Sequence, residues 1–268
     1  MNPKPSTIRR LRAIAQNTYR EAIRNRAFIA LTISALIFVL FSWLLGEMSV
    51  PGQKTHVILN FGFFAISVFC VVTAIVMGAV LLHKEVEKKT VYTILSKPVH
   101  RHEFLLGKYL GMLAIIAVEM LALSLVWMLI YGFSGGDISW SLLIGIGLMY
   151  LEVMLVTGVA LMFSAMSSPI LTAIFTCGVF AVGRYHSTLQ EMLNAKRGVL
   201  VDNDVARVFG EIGVAVFPDL SVFNVSQQVQ WGVDVGWGYA GHAAVYALGY
   251  TVIFIGIGIL AFQRRDFV

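Results

Sequence analysis

Residues 57–82 read VILNFGFFAISVFCVVTAIVMGAVLL, a stretch of 26 residues without a single Asp, Glu, Lys or Arg. At a rise of about 1.5 Å per residue, a helix of this length crosses a hydrocarbon core of about 30 Å. Backbone amides find no water at that depth, so such a stretch must form a helix that satisfies its own hydrogen bonds. The sequence therefore predicts a membrane-spanning helix at residues 57–82.

Outside this stretch, further apolar segments are long enough to span a membrane: Ala27–Leu45, Tyr109–Tyr131, Trp140–Met166, Ile170–Leu189 and Ala240–Phe262. The composition agrees, because 58% of the residues are hydrophobic and only 13% are charged. A soluble domain carries about 25% charged residues. We therefore predict an all-α membrane protein whose six transmembrane helices form one domain, residues 27–268.

Lys and Arg are concentrated in three segments, with seven in residues 1–26, six in residues 83–108 and two after residue 262. The loop at residues 190–239 has three basic residues against six acidic ones. The positive-inside rule then places both termini and residues 83–108 in the cytoplasm, for a protein of the plasma (inner) membrane. The net charge of +5 comes from these segments and not from the basic face of a folded domain, so no nucleic acid partner is expected.

The segment at residues 1–26 is predicted to contain a basic amphipathic helix. Between Thr7 and Arg26, apolar residues recur at helical spacing and arginines occupy the other side. Such a helix lies along the membrane surface, in contact with membrane lipids. Two interpretations stay open: an electrostatic anchor that sets the topology, or a docking surface for a cytoplasmic partner.

Two connections between spans are longer than a simple turn requires. Residues 83–108 begin as a short helix, with Glu85 and Lys89 four positions apart, and Pro98 ends it. Its length predicts contact with a partner, whereas its composition alone favours a solvated loop. Residues 190–239 are too apolar for a free loop. They predict one or two short helices at the outer leaflet, either a gate or a lid over the bundle.

Four stretches, taken in order, carry a family resemblance: AQNTYREAIRNR at 15–26, EVEKKTVYTILSKPVHR at 85–101 followed by LLGK at 105–108, FPDLSVFN at 217–224, and QRRDF at 263–267. Together they resemble the type-2 ABC export permeases. The particular resemblance is to the branch that includes the membrane subunit of the nitrous-oxide-reductase maturation exporter. The broader family often has Gly where this chain has Lys89, which allows a longer unbroken helix there.

The resemblance implies that the permease and the ATPase are separate subunits. The chain has no G-x-x-x-x-G-K-[ST] phosphate loop, so it is not expected to be an enzyme or to hold a cofactor. A separate nucleotide-binding ATPase, in two copies, would bind ATP and Mg, and a second permease copy would complete a homodimer or a closely related heterodimer. The residues that the resemblance assigns to ATPase coupling are Glu85, Glu87, Val91, Ile94, Leu95, Arg101, Arg20 and Arg24.

Two acids lie inside predicted spans, Glu119 in the third and Glu152 in the fourth. Antiparallel neighbouring spans would place both near the middle of the bilayer at similar depth. A carboxyl there costs about 2.5–3.5 kcal/mol on insertion scales and should face the bundle interior. Three roles stay open: neutral acids that tie helices together, the polar wall of a pathway, or proton or metal handling. Arg184, near the outer end of the fifth span, is expected to reach the membrane surface.

Histidines beside the second span and glycines at the start of the third give weaker indications of function. His83, His100, His102 and Glu103 do not follow a standard zinc-ligand spacing, so no metal site is predicted. Gly107 and Gly111 are four residues apart and predict a close helix contact.

These observations favour the permease subunit of an ATP-driven exporter of a lipid, glycolipid, peptide or other amphiphile. The alternative is mechanotransmission, in which ATP hydrolysis drives an extracytoplasmic partner and nothing is transported. A passive channel or membrane scaffold is the third interpretation.

Overall fold

The computed structural model describes residues 7–87, 100–195 and 204–264, and every regular element in those ranges is a helix. In chain order they are α1 Thr7–Ile23, α2 Arg26–Glu47, α3 Lys54–Glu87, α4 Arg101–Phe133, α5 Trp140–Met166, α6 Pro169–Arg184, α7 His186–Asn194, α8 Asp204–Val216, α9 Ser226–Gln230 and α10 Trp237–Arg264. A short 3-10 turn, Ser221–Phe223, precedes α9. The prediction of an all-α membrane protein is confirmed, and five helices (α2, α3, α4, α5 and α10) are long and apolar enough to span a bilayer.

Helices α3 and α5 form the centre of the bundle. In the most apolar stretch of 18 residues in each helix, 67% of the residues of α3 and 72% of those of α5 are buried. The corresponding share for α2, α4 and α10 is 22–39%. Helix α10 packs along α5, α2 packs along α3, and α3 also contacts α4 and α6. The outer helices therefore expose apolar side chains, as expected for surfaces that face lipid.

Local sequence explains where the helices begin and turn. The side chain of Asn25 accepts a hydrogen bond from the Ala27 N–H at 3.0 Å and caps the start of α2. Pro169 occupies the first turn of α6, where its missing N–H costs nothing. Gly52 and Gly135 have φ angles of +89° and +86° in the connections before α3 and α5. A residue with a side chain rarely adopts such angles.

The predicted fifth span, Ile170–Leu189, is wrong in extent. Helix α6 ends at Arg184, and α7 starts at His186 as a separate helix. The 16 residues of α6 reach about 24 Å, less than a hydrocarbon core of about 30 Å. The last carbonyls of a helix have no partner within that helix, and here the backbone carbonyl of Gly183 accepts a hydrogen bond from the Leu220 N–H at 2.9 Å. A distant segment of the chain thus caps the end of α6.

The two long connections are more helical than the sequence predicts. Helix α3 continues to Glu87 and α4 starts at Arg101, so both ends of the predicted loop at 83–108 belong to the spanning helices. The predicted coupling residues Val91, Ile94 and Leu95 lie outside the described residues. The prediction of short helices before the last span is confirmed by α7, α8 and α9, with a bend of 57° between Asp204–Val216 and Ser221–Gln230.

Candidate functional site

The first polar cluster joins α1 to α4. Arg10 Nη2 donates to Glu103 Oε1 at 2.6 Å, and the Glu103 side chain is only 2% exposed. Glu103 Oε2 accepts a second bond, from the His100 N–H at 3.2 Å, which fixes the start of α4. Near the other end of α1, Lys108 Nζ lies 3.5 Å from Glu21 Oε2. Helix α1 is therefore held on α4 by an ion pair near each of its ends.

Between these ion pairs, glycines allow the two helices to touch. A Cβ atom added to Gly111 would lie 2.6 Å from the backbone oxygen of Ala15 and 2.6 Å from Thr18 Cβ. A Cβ atom added to Gly107 would lie 2.7 Å from Ile14 Cβ. The close contact predicted from the glycine spacing thus forms, and its partner is the amphipathic helix α1.

Arg101 connects the start of α4 to the end of α10. Its Nη1 donates to the backbone oxygens of Phe262 at 3.1 Å and Gln263 at 2.9 Å. The last carbonyls of a helix have no partner within that helix and carry partial negative charge, so a guanidinium stabilises them. This residue, which the resemblance assigns to ATPase coupling, is thus also a link between two spanning helices.

Of the other predicted coupling residues, the structure describes Arg20 and Arg24 on α1 and the backbone of Glu85 and Glu87 at the end of α3. Arg20 and Arg24 are exposed, and neither makes an ion pair within the described part of the chain. They line a groove of about 560 Å³ together with Asn17, Glu21 and Asn25. Glu85 and Glu87 belong to the last turn of α3, and their side chains are not described.

Glu119 is the centre of a second polar cluster, in the bundle interior. The residue is 2% exposed, and Oε1 accepts hydrogen bonds from Thr32 Oγ1 at 3.1 Å and Thr73 Oγ1 at 3.2 Å. Oε2 is buried and has no hydrogen-bond partner within the described residues. Glu119 therefore links α4 to both α2 and α3 through one oxygen.

Glu152 is fully buried and forms the third cluster. Arg184 Nη1 donates to its Oε1 at 2.6 Å and to its Oε2 at 2.8 Å, and Ser67 Oγ donates to Oε2 at 3.2 Å. The expectation that Arg184 reaches the membrane surface did not include this partner inside the bundle. Both residues lie about fifteen positions from the turn at residues 167–168, which places them level, about 22 Å from that turn. A buried carboxylate at this height attracts the guanidinium inward.

The two acids do not form the pair that their predicted depths indicated. Their partners on α3, Ser67 and Thr73, are six positions apart, which corresponds to about 9 Å along the helix axis. Glu119 lies nearer the face that carries α1, and Glu152 lies nearer the opposite face. Each carboxyl has its own set of partners, so the bundle contains two separate polar sites.

The segment before α10, residues 217–224, is hydrogen-bonded to the end of α6. Asp219 N–H donates to Tyr246 Oη at 2.7 Å, and the Leu220 N–H bonds Gly183. His186 Nε2 lies 3.1 Å from the Val214 backbone oxygen. This segment contains the Pro-bearing stretch FPDLSVFN at residues 217–224, and it joins α6, α8 and α10 on the face opposite α1.

Sequence reasoning missed the partner of Arg184, although a usable signal was present. Glu152 and Arg184 are nearly equidistant from the turn between two antiparallel helices, and equal helical rise on the two sides of that turn places them at one level. Among the described residues, no group of three or more potential metal ligands comes together.

The geometry defines a helical multi-pass membrane protein with polar sites inside its bundle. A family model described as ABC-2 family transporter protein matches residues 12–183, well over half of the chain. The match runs from α1 almost to the end of α6 and includes Glu119 and Glu152. No curated protein matches the chain significantly.

The chain therefore belongs to the ABC-2 transporter family. Members of this family are the membrane permease components of ABC transporters, and the ATPase is a different component. Membership implies pairing with an ATP-binding subunit.

Proposed function

We propose that the chain is the permease subunit of an ATP-driven exporter that moves an amphiphile across the plasma membrane. Two permease copies, identical or closely related, pair with two ATPase subunits that bind ATP and Mg. The family match supports the permease class and the ATP-binding partner. The quoted stretches support the branch that resembles the nitrous-oxide-reductase maturation exporter.

The observation that carries this proposal is the attachment of α1 to α4. The Arg10–Glu103 and Lys108–Glu21 pairs lie on the two sides of a close glycine contact, so α1 and α4 move together. Helix α4 reaches Glu119, whose carboxyl bonds α2 and α3. A displacement of α1 by a bound ATPase is thereby passed to three spanning helices.

The ATPase binds on the α1 face, which is the cytoplasmic face in this proposal. Glu85, Glu87, Val91, Ile94 and Leu95 make the main contact. Arg20 and Arg24 add two exposed charges beside the groove on α1. Arg101 acts indirectly, by tying α4 to the end of α10.

Glu119 and Glu152 are proposed to act on the transport pathway. Buried acids are costly in a membrane protein and mark functional positions by default. Both bond α3, the helix that contacts α2, α4, α5 and α6. A rearrangement of α3 therefore changes the surroundings of both carboxyls.

The experiment is co-purification of the ATPase with the full-length permease after co-expression of the two. The double variant Glu85→Lys/Glu87→Lys should reach the membrane at the wild-type level and lose the ATPase. Glu191→Lys is the matched control, because Glu191 is an exposed acid on α7, toward the opposite face. Undiminished recovery of the ATPase with the double variant would contradict the docking assignment.

The second candidate function is mechanotransmission to an extracytoplasmic partner. Helix α8 favours it, because five apolar side chains on one of its faces are each more than half exposed: Val205, Val208, Phe209, Ile212 and Val216. The two functions differ in one measurement. An exporter in liposomes hydrolyses ATP faster when its amphiphile is present, whereas a mechanotransmission subunit responds to its protein partner only.

A further inference from the structure

Arg184 uses only part of its hydrogen-bonding capacity on Glu152. Both bonds to the carboxylate come from Nη1, at 2.6 and 2.8 Å. Within the described part of the chain, Nε and Nη2 have no hydrogen-bond partner, and neither is among the buried atoms that lack one. A guanidinium presents five N–H donors in a planar fork, so the edge formed by Nε and Nη2 is left for another acceptor.

This edge of the guanidinium can be reached from outside the bundle. The Arg184 side chain is 18% exposed, whereas the Glu152 side chain beneath it is 0% exposed. The Glu152 carboxylate therefore binds the Arg184 guanidinium from the bundle interior, and the unused donors Nε and Nη2 face outward. A charge at this height is tolerated because its partner neutralises it, and a guanidinium in such a position is a functional candidate.

The surface beside Arg184 is apolar and has the shape of a stripe. Ile170, Ile174, Cys177 and Ala181 are exposed and precede Arg184 at intervals of three or four residues, so they lie on one face of α6. From Ile170 to Arg184 this stripe is about 21 Å long. The stripe ends at Arg184, a cation with unused hydrogen-bond donors. An apolar stripe that ends in such a cation complements a molecule with one apolar chain and one anionic end.

We propose that Arg184 binds the anionic group, a phosphate or a carboxylate, of the exported amphiphile, whose apolar chain lies along the α6 stripe. The inference rests on the proposed function and narrows its substrate class to anionic amphiphiles. The guanidinium fork matches the geometry of a phosphate or carboxylate, and charge-assisted bonds of this kind are the stronger ones.

Glu152 is a positioning residue in this scheme. It fixes one nitrogen of Arg184, so that the remaining edge points toward the ligand. A bound anion competes with Glu152 for the same positive charge and weakens the bond between α5 and α6. Ligand binding is thereby communicated to Glu152 and, through Ser67, to α3.

The test uses the purified full-length chain in micelles of the non-ionic detergent dodecyl maltoside. Thermal unfolding is followed as hexadecyl phosphate or zwitterionic hexadecylphosphocholine is added, since the two probes share one chain and differ in charge. For the wild type, half of the stabilisation should occur at a mole fraction of the phosphate about ten- to a hundredfold lower.

The variants assign this difference to Arg184. Arg184→Lys should reduce it strongly, because the single ammonium group is engaged by Glu152. The double variant Arg184→Gln/Glu152→Gln should abolish it and still fold, since no buried charge is left alone. Arg207→Gln is the matched control: Arg207 is exposed, pairs with Glu211 at 3.0 Å and should leave the difference unchanged.

Each contrary outcome is decisive. Equal effects of the two probes on the wild type, or full discrimination by Arg184→Lys, would overturn the proposal. Stabilisation by inorganic phosphate alone would assign Arg184 to a soluble anion instead of an amphiphile. If Ile174→Gln changes the oligomeric state in native mass spectrometry but leaves the discrimination intact, the stripe is a contact between copies. These measurements need no ATPase, so their failure is distinct from failure of the co-purification test.

Discussion

Arg10 and Glu103 are 93 positions apart in the sequence, and their side chains are joined by an ion pair of 2.6 Å. The pair attaches the amphipathic helix α1 to the first turn of α4. Glu103 is almost fully buried and also accepts a bond from the His100 N–H, so it occupies one defined position. An amphipathic helix that only anchored the protein to lipid would not need such an attachment.

The first prediction concerns this ion pair. Arg10→Gln leaves the buried Glu103 carboxylate without its charged partner, so we expect a loss of about 1–3 kcal/mol in the free energy of unfolding. Arg12→Gln is the control, because Arg12 is exposed on the same helix and should change stability by less than about 0.5 kcal/mol. Thermal unfolding of the purified chain measures both. Equal effects of the two substitutions would mean that the ion pair does not hold α1.

The second prediction concerns the glycine contact. Gly111→Ala places a Cβ atom 2.6 Å from the Ala15 backbone oxygen, so α1 must move away from α4. We expect trypsin to cleave α1 faster and amphiphile-stimulated ATP hydrolysis by the complex to fall, with the protein still in the membrane. Gly147→Ala is the control, because nothing lies within 4 Å of an added Cβ atom there. Similar behaviour of both variants would show that the contact transmits nothing.

Most of the fold could be predicted from the sequence because membrane helices are dictated locally. A stretch such as residues 57–82 must be helical whatever surrounds it, since lipid offers no hydrogen bonds to the backbone. The end of α6 could not be predicted in this way. Helix α6 ends at Arg184, where the carbonyl of Gly183 is capped by the N–H of Leu220, which is distant in sequence. A hydropathy profile depends on local sequence and does not predict such a long-range contact.

In the candidate site, too, the features set by local sequence could be predicted and those set by packing could not. Glu119 and Glu152 could be singled out because an acid in an apolar stretch is visible in the sequence. Their partners could not be, since Thr32, Thr73 and Ser67 are ordinary residues of spanning helices whose rotation depends on packing. Arg184 was interpreted by its distance from the end of the predicted span, and that span was too long.

The third prediction is a double-mutant cycle on Arg184 and Glu152. Each single substitution to Gln leaves one charge without its partner inside the bundle, so each should cost about 3–5 kcal/mol. The double substitution removes both charges and should cost clearly less than the sum. Thermal unfolding of the four proteins gives the coupling between the residues. Additive effects would show that the ion pair contributes nothing to holding α6 against α5.

The fourth prediction concerns the orientation in the membrane. In a background of Cys70→Ala and Cys177→Ala, Lys88→Cys and Gln263→Cys should be protected from an impermeant thiol reagent in intact cells. Asn203→Cys should react, because positive charge keeps residues 83–108 and the C-terminal end in the cytoplasm. Permeabilised cells provide the control, in which all three positions react. External labelling of Lys88→Cys would reverse the topology and exclude docking of a cytoplasmic ATPase there.

The last prediction distinguishes a pathway role of Glu119 from a purely structural one. Glu119→Gln keeps an acceptor oxygen for Thr32 and Thr73, so folded yield and basal ATP hydrolysis should stay at the wild-type level. Stimulation of hydrolysis by an amphiphile in liposomes should be lost if the carboxyl acts on the pathway. Glu119→Leu removes the acceptor from both hydroxyls and should lower the free energy of unfolding by about 1–3 kcal/mol. Full stimulation of the Gln variant, together with instability of the Leu variant, would leave Glu119 the single role of tying α4 to α2 and α3.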